Sequence, residues 1–208
     1  MARILITSGP TREYLDPVRY LTNASSGRMG AALAEAALAE GHEVVMVSGP
    51  VEVQYPPEVS LQWVLTTDEM LLACEEIFPK CDGLIGVAAP CDYKAEAISP
   101  HKIRKTGQPI QLDLVETVDI MAELAKIKGD RWMVGFALET EDTHFRAMTK
   151  LQKKNCDFIV LNGPEAMHAH DTSLEVLNHQ GEVVLKFTGT KEAAARRILE
   201  RINQDLLR

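Results

Sequence analysis

No apolar run in the 208 residues approaches the roughly 18 needed to cross a bilayer, which excludes a membrane-spanning helix. Met1-Ala2-Arg3 leads directly into a short strand pattern and lacks the apolar core of a signal peptide, so a cytoplasmic protein with no membrane partner is expected. Basic residues are in short supply: 22 Lys and Arg against 30 Asp and Glu leave a net charge of -8. That balance argues against a nucleic-acid binder, which presents a basic surface, and means that any anionic ligand needs a local cluster of cations. The cysteines, Cys74, Cys81, Cys91 and Cys156, show no C-x-x-C spacing and no disulfide framework. Reduced thiols are expected, with Cys74 and Cys156 in apolar surroundings. Cys91 sits beside candidate site residues, but nothing in its neighbourhood makes it a nucleophile. Internal repeats and low-complexity segments are missing as well.

What is present is an ordinary globular composition, 46% hydrophobic and 25% charged, sufficient for one domain spanning residues 1–208. Apolar, β-branched runs recur at Ile4–Thr7, Val44–Val47, Leu61–Leu65, Leu84–Ala88, Met133–Ala137 and Phe158–Leu161, the pattern of buried parallel strands. Helical patterns lie between them at Met29–Glu40, Asp68–Phe78, Val118–Lys128 and Thr143–Lys154. This alternation predicts an α/β fold: a Rossmann-like, doubly wound, mainly parallel sheet with helices on both faces. Two regions break the rhythm. A polar flap over about 90–116 ends in the alternating P-I-Q-L-D-L-V, read as a strand or hairpin arm. A hairpin over about 174–188 turns at Gln180-Gly181 and precedes a terminal amphipathic helix from Thr190.

The connection from the first strand to the first helix is unusually long. About twenty residues stand where 2 to 6 are usual, and they carry Arg12, Asp16, Arg19 and Asn23. At its end, Ser25-Ser26-Gly27-x-x-Gly30 reads as a phosphate site, with serines to cap the free amides and a helix dipole to favour an anion. The same residues also suit a plain helix cap with glycines for close packing. The length of the loop favours a ligand.

A nicotinamide enzyme would carry a ribose-binding acid at the end of the second strand, where Ser48-Gly49-Pro50 stands, and no tyrosine has a lysine four residues later. An NAD(P)- or flavin-linked reductase is therefore the second reading. After the fourth strand come Gly86, Val87, Ala88 and Asp92, then His101-Lys102-Ile103-Arg104-Lys105, beside the point where strand order reverses in such sheets. Asp92 suits a ribose, a base or a metal, and the lysines suit phosphate; alternatively the basic run is a solvated flap. Lys150 and Lys154, one turn apart, form a possible second cationic clamp or an ordinary solvated face. Phe136 suits either a base or the core. His168-Ala-His170-Asp171 has metal-like spacing but no further ligands, and is rejected as a site.

Taken in order, I-T-S-G-P-T-R-E, D-P-V-R-Y-L-T-N-A-S-S-G-R-M-G, V-S-G-P, A-A-P-C-D-Y, K-I-R-K, G-F-A-L-E-T-E and K-K-N-C-D-F-I-V-L-N resemble the phosphopantothenoylcysteine synthetase family of coenzyme A biosynthesis across nearly the whole chain. The resemblance implies ligation of 4'-phosphopantothenate with L-cysteine through an acyl-nucleotide, releasing pyrophosphate and CMP or AMP. CTP is expected ahead of ATP, with Mg2+ and without a tightly bound flavin. It implies Asn23 and Lys102 as catalytic residues. It assigns Gly86, Val87, Ala88, Asp92, Lys102, Val118, Asp119, Ile120, Met121, Phe136, Lys150 and Lys154 to the nucleotide, and leaves the metal ligands unassigned. A homodimer is implied, and a phosphopantothenoylcysteine decarboxylase as a separate partner, since no such half accompanies the chain. Departures from the family pattern are Pro90-Cys91 before Asp92, Arg104 within K-I-R-K and Gly163 after Asn162. A non-catalytic nucleotide-binding module is a third reading.

Overall fold

Six of the apolar runs do lie side by side, and their alternating side chains feed two separate cores. The computed structural model describes residues 1–138, 143–162 and 171–207. The strands are β1 (Arg3–Ser8), β2 (Arg12–Tyr14), β3 (Tyr20–Thr22), β4 (Glu43–Ser48), β5 (Ser60–Trp63), β6 (Gly83–Gly86), β7 (Tyr93–Ala95), β8 (Leu114–Glu116), β9 (Trp132–Leu138), β10 (Phe158–Asn162), β11 (Asp171–Asn178) and β12 (Val183–Thr190). The helices are α1 (Arg28–Ala39), α2 (Thr67–Ile77), α3 (Ile120–Lys126), α4 (Thr143–Lys153) and α5 (Lys191–Asp205). One sheet runs β12-β11-β10-β9-β6-β1-β4-β5. The six strands from β10 to β5 are parallel, while β11 and β12 add an antiparallel edge. The Rossmann-like expectation is borne out, with the order reversing between β1 and β6.

On one face, Ile4, Ile6, Val44, Met46, Val134 and Val160 pack with the small buried face of α1 (Ala32, Leu33, Ala36, Ala37) and with Ala194, Ile198, Leu199 and Ile202 of α5. On the other, Leu5, Val47, Leu84, Met133 and Ile159 meet α2, α3 and α4. The period of two in each strand sends neighbours to opposite sides, and crossover helices cover both. No helix among the described residues is long and apolar enough to cross a membrane.

Several expectations are corrected. The long first connection is not open loop: β2 and β3 pair as an antiparallel hairpin within it. In the flap, only Leu114–Glu116 pairs, with Tyr93–Ala95, so residues 109–113 of the alternating arm form no strand. Ile110 and Leu112 are exposed there, at 57% and 39%, and alternation without a buried face does not hold a strand. The terminal hairpin is longer than expected and bulges between Val176 and Leu177. Helix α4 ends at Lys153, one residue before Lys154. His168 and His170 lie outside the described residues.

Candidate active site

The reversal between β1 and β6 leaves an opening at the carboxyl ends of the strands, where parallel sheets bind ligands because no crossover covers it. Here it is a cleft of about 440 Å³. Hydrogen bonds hold its floor: Ala88 N donates to Thr7 Oγ1, Ala89 N to Gly9 O and Cys91 N to Thr11 Oγ1. The segment after β6 is thereby stitched to the segment after β1. Asn23 crosses the same seam, its Nδ2 donating to Pro90 O at 2.8 Å and Ala89 O at 3.3 Å.

Most of the sequence-predicted residues meet here. Asn23, Ser25, Ser26, Gly27, Gly30, Val87, Ala88, Asp92, Phe136 and Lys150 all line the cleft. The serines do not cap α1, however. Gly27 itself is the N-cap, at a left-handed φ of 73°, and no side chain bonds the first-turn amides. A left-handed N-cap is open to glycine, and it leaves those amides as donors for a ligand. Gly30 serves packing: a Cβ there would lie 2.1 Å from Ser8 Oγ, so the helix sits directly on the end of β1. Phe136 is half-buried and has both roles considered for it, packing on the core and lining the cleft.

Other predicted residues are placed elsewhere. Gly86 is buried inside the sheet, and its missing side chain makes room for Met121, whose Sδ would lie 2.4 Å from a Cβ. Ile120 is buried beside it in the core, and Asp119 caps α3 by accepting from Ala122 N. Val118 precedes that cap, and none of these five residues lines the cleft. Lys154, past the end of α4, turns to an ion pair with Asp119 at 3.1 Å and does not join Lys150. Its amide still closes the last helical turn onto Lys150 O, and it is the Asp119 carboxylate that draws the side chain away. Lys102 is exposed on the flap, away from the cleft lining. The base of that flap is pinned by Asp16, whose side chain is shut off from solvent and accepts from the amides of Val18, Arg19 and Ile103 and from the Arg19 guanidinium. Burial works against the Asp16 carboxylate, but these donors outweigh it and hold its pKa below the ordinary range.

Sequence reasoning missed Arg28, Asn162, Thr172 and Lys191, which also line the cleft. Lys191 is the first residue of α5, and burial, aided by the nearby Arg28 charge, pushes its pKa down. A lysine at the start of a helix runs against the dipole, and that was the one local signal available. Cys91 is buried with its thiol against the carbonyls of Thr11 and Leu21, and burial raises its pKa, as a structural thiol requires.

Two observations narrow the chemistry. Beyond the second parallel strand, where a dinucleotide's adenosine would lie, Val51, Val53 and Tyr55 pack within 3.1 Å of where a Gly27 Cβ would stand, and Tyr55 bonds Ser48 and Ser8. That space is filled with side chains, which disfavours the reductase. Among the described residues no three His, Cys, Asp or Glu gather to hold a metal, and Asp92 is the single carboxylate lining the cleft. This donor set suits an ion carried in on substrate phosphates.

Residues 1–206 match the family described as DNA/pantothenate metabolism flavoprotein C-terminal domain. The coenzyme A biosynthesis bifunctional protein CoaBC of Haemophilus influenzae is 37% identical over 210 residues, 98% of this chain and 52% of that protein. A protein of an unknown prokaryotic organism, named cysteine/cysteine sulfinic acid decarboxylase, is 40% identical over 206 residues, 96% of this chain and 57% of that one. The chain thus spans about half the length of the curated relatives it matches. The solved C-terminal domain of CoaBC shares the fold with a TM-score of 0.85 at 37% identity, over 98% of this chain and 95% of that one. The chain belongs to the DNA/pantothenate metabolism flavoprotein C-terminal domain family, and its resemblance to the phosphopantothenoylcysteine synthetases is borne out.

Proposed function

We propose that this chain ligates 4'-phosphopantothenate with L-cysteine, using a nucleoside triphosphate, CTP ahead of ATP. The observation that carries the reading is the cleft at the β1/β6 reversal, where Asn23, Asp92, Phe136 and Lys150 converge on the uncapped start of α1. Asn23, Asp92 and Phe136 stand in the motifs that resemble the synthetases.

In the first step a carboxylate oxygen of phosphopantothenate attacks the α-phosphorus, and the bond to the bridging oxygen breaks, so that diphosphate leaves with the electron pair. In the second, the cysteine amine attacks the acyl carbon, nucleoside monophosphate leaves, and the amine proton passes to solvent. Both steps bring anions together, so positioning against cations and fixed amide dipoles is the main demand on the protein. The α1 amides and Lys150 meet that demand at the phosphates. Phe136 offers an apolar face to the base, and Asp92 an acceptor for ribose hydroxyls. Mg2+, carried on the substrate phosphates, would neutralise phosphate charge when bound. Asn23 has its Nδ2 committed to Pro90 and Ala89, which leaves Oδ1 as the atom to hold the incoming amine.

Lys102 enters this scheme from a second copy. The flap and the entry loop are joined, Ser99 N to Leu15 O and Ile103 N to Asp16, and together expose Val18, Ile98 and Ile110 at 57%, 61% and 57%. That apolar surface supports a homodimer whose flaps complete its clefts. The reading also puts the protein in the cytoplasm, without a tightly bound flavin.

The test is a turnover matrix: CTP or ATP, with and without phosphopantothenate and cysteine, in the presence of Mg2+. Pyrophosphate and CMP or AMP should form only with both substrates or, more slowly, with phosphopantothenate alone. No cysteine-dependent product with either nucleotide sinks the proposal. Tight nucleotide binding without turnover would then favour the binding module.

A further inference from the structure

At the hairpin end of the cleft, four residues from distant parts of the chain come together. Arg28 opens α1 and Lys191 opens α5; both line the cleft, and they are close enough for the Arg28 charge to disfavour that on Lys191. Each sits at a helix N-terminus, where partial positive charge already accumulates, so α1, with no acidic residue in its first turn, adds charge to charge. Helix α5 answers in part with Glu192. In the same lining, Thr172 of β11 is only 2% exposed, and its Oγ1 has no hydrogen-bond partner among the described residues. Asn162, at the end of β10, likewise keeps a buried Oδ1 without a described partner. Buried polar atoms of this kind are rare and costly in a finished fold, and two of them line one cleft beside two crowded cations. A half-turn of the Asn162 amide would present a donor in place of the acceptor.

We propose that Arg28, Lys191, Thr172 and Asn162 form a polyphosphate subsite that takes the diphosphate leaving group of the nucleotide. The assignment rests on the ligase reading above. A diphosphate spreads several charges over many acceptor oxygens, which suits two cations, a hydroxyl, an amide and the free amides of α1 at once. The subsite completes the first step: as the bond between the α-phosphorus and the bridging oxygen breaks, the electron pair remains on the diphosphate, and the growing charge falls between Arg28 and Lys191. These are positioning residues for the departing group.

Calorimetric titration of the full chain with inorganic pyrophosphate tests the subsite directly, whatever the acyl substrate. Lys191→Met and Thr172→Val should each weaken pyrophosphate binding, the lysine change by about tenfold or more, while CMP or AMP affinity stays within about twofold. Lys191→Arg, which keeps the charge, should retain binding within about threefold and thereby exclude misfolding as the cause. In turnover, Lys191→Met should lower kcat for pyrophosphate release, since the group acts most strongly where charge develops. Unchanged pyrophosphate affinity in Lys191→Met overturns the proposal, as does a parallel fall in CMP and AMP affinity. If instead Lys191→Met loses affinity for 4'-phosphopantothenate and keeps it for pyrophosphate, the subsite belongs to the phosphate monoester and the diphosphate assignment is wrong. Pyrophosphate binding that depends on Lys191, in a protein inactive throughout the turnover matrix, would uphold the subsite and refute the ligase.

Discussion

Replacing Gly30 by alanine sets two effects of similar size against each other. Alanine is favoured over glycine in a helix interior by about 1 kcal/mol, so propensity alone predicts a more stable protein. Contact predicts the reverse: the new Cβ would stand 2.1 Å from Ser8 Oγ and 2.6 Å from Ser8 Cβ. Rotating the hydroxyl away would cost its bonds to Tyr55 and Gly27 O and would leave the Cβ contact untouched. Helix α1 must therefore back off from β1 by roughly 0.8 Å, an overpacking that costs about 1 to 3 kcal/mol. The net is a loss of about 1 kcal/mol, read as a fall in Tm of roughly 2 to 4 °C for a chain of this size. Catalysis should suffer more than stability, because the same shift moves the first-turn amides away from the phosphates, and KM for the nucleotide should rise about tenfold or more. The double variant Ser8→Gly with Gly30→Ala removes both contacts and should recover most of that KM. A higher Tm with unchanged KM in Gly30→Ala would refute the reasoning, showing that propensity wins and that the helix does not rest on Ser8.

Three further outcomes are expected. Asn23→Asp replaces a donor by a carboxylate facing the Ala89 and Pro90 carbonyls, and should slow cysteine-dependent product formation by about a hundredfold while slowing acyl-nucleotide formation less, as read by rapid-quench product analysis. Equal loss of both steps would count against the assigned role. Glu175 accepts from Lys186 at 2.6 Å and His144 at 2.8 Å, and these two partners hold its pKa below the ordinary 4.5. A depressed carboxylate adds stability above its unfolded pKa and loses it as pH falls through the folded one, so the Tm gap between wild type and Glu175→Gln should narrow below about pH 4.5. A gap that widens on acidification would be incompatible with this pairing. Finally, all four thiols are buried, and burial pushes Cys74 to about 12 and Cys156 to about 11. The native protein should react with a thiol-selective disulfide reagent at about pH 8 only on the timescale of unfolding, and one thiol labelled on mixing would contradict that burial.

Much of the architecture was legible because buried parallel strands are written as short continuous apolar runs. Ile4–Thr7, Val44–Val47, Leu84–Ala88 and Met133–Ala137 each overlap a strand of the parallel sheet. Boundaries were less legible where local signals compete. Alternation across Ile110 and Leu112 looked like a strand, but no partner face buries it. Lys154 looked like the mate of Lys150, but Asp119, distant in sequence, takes its ammonium. Gly86 looked like a ligand-facing residue, but the Met121 side chain occupies the space it leaves.

By itself the sequence determined the sheet, the two-faced core and the resemblance, since each depends on periodicity or on residues adjacent in the chain. It also offered the stretch from Ser25 to Gly30 as a candidate phosphate site. Only the tertiary structure decided which cations line the same cleft. Arg28 and Lys191 are separated by most of the chain, and Thr172 reads as an ordinary strand residue. They meet because α1 and α5 pack on the same face of the sheet and present their N-termini to one cleft. That packing is a property of the strand order, and no window of sequence carries it.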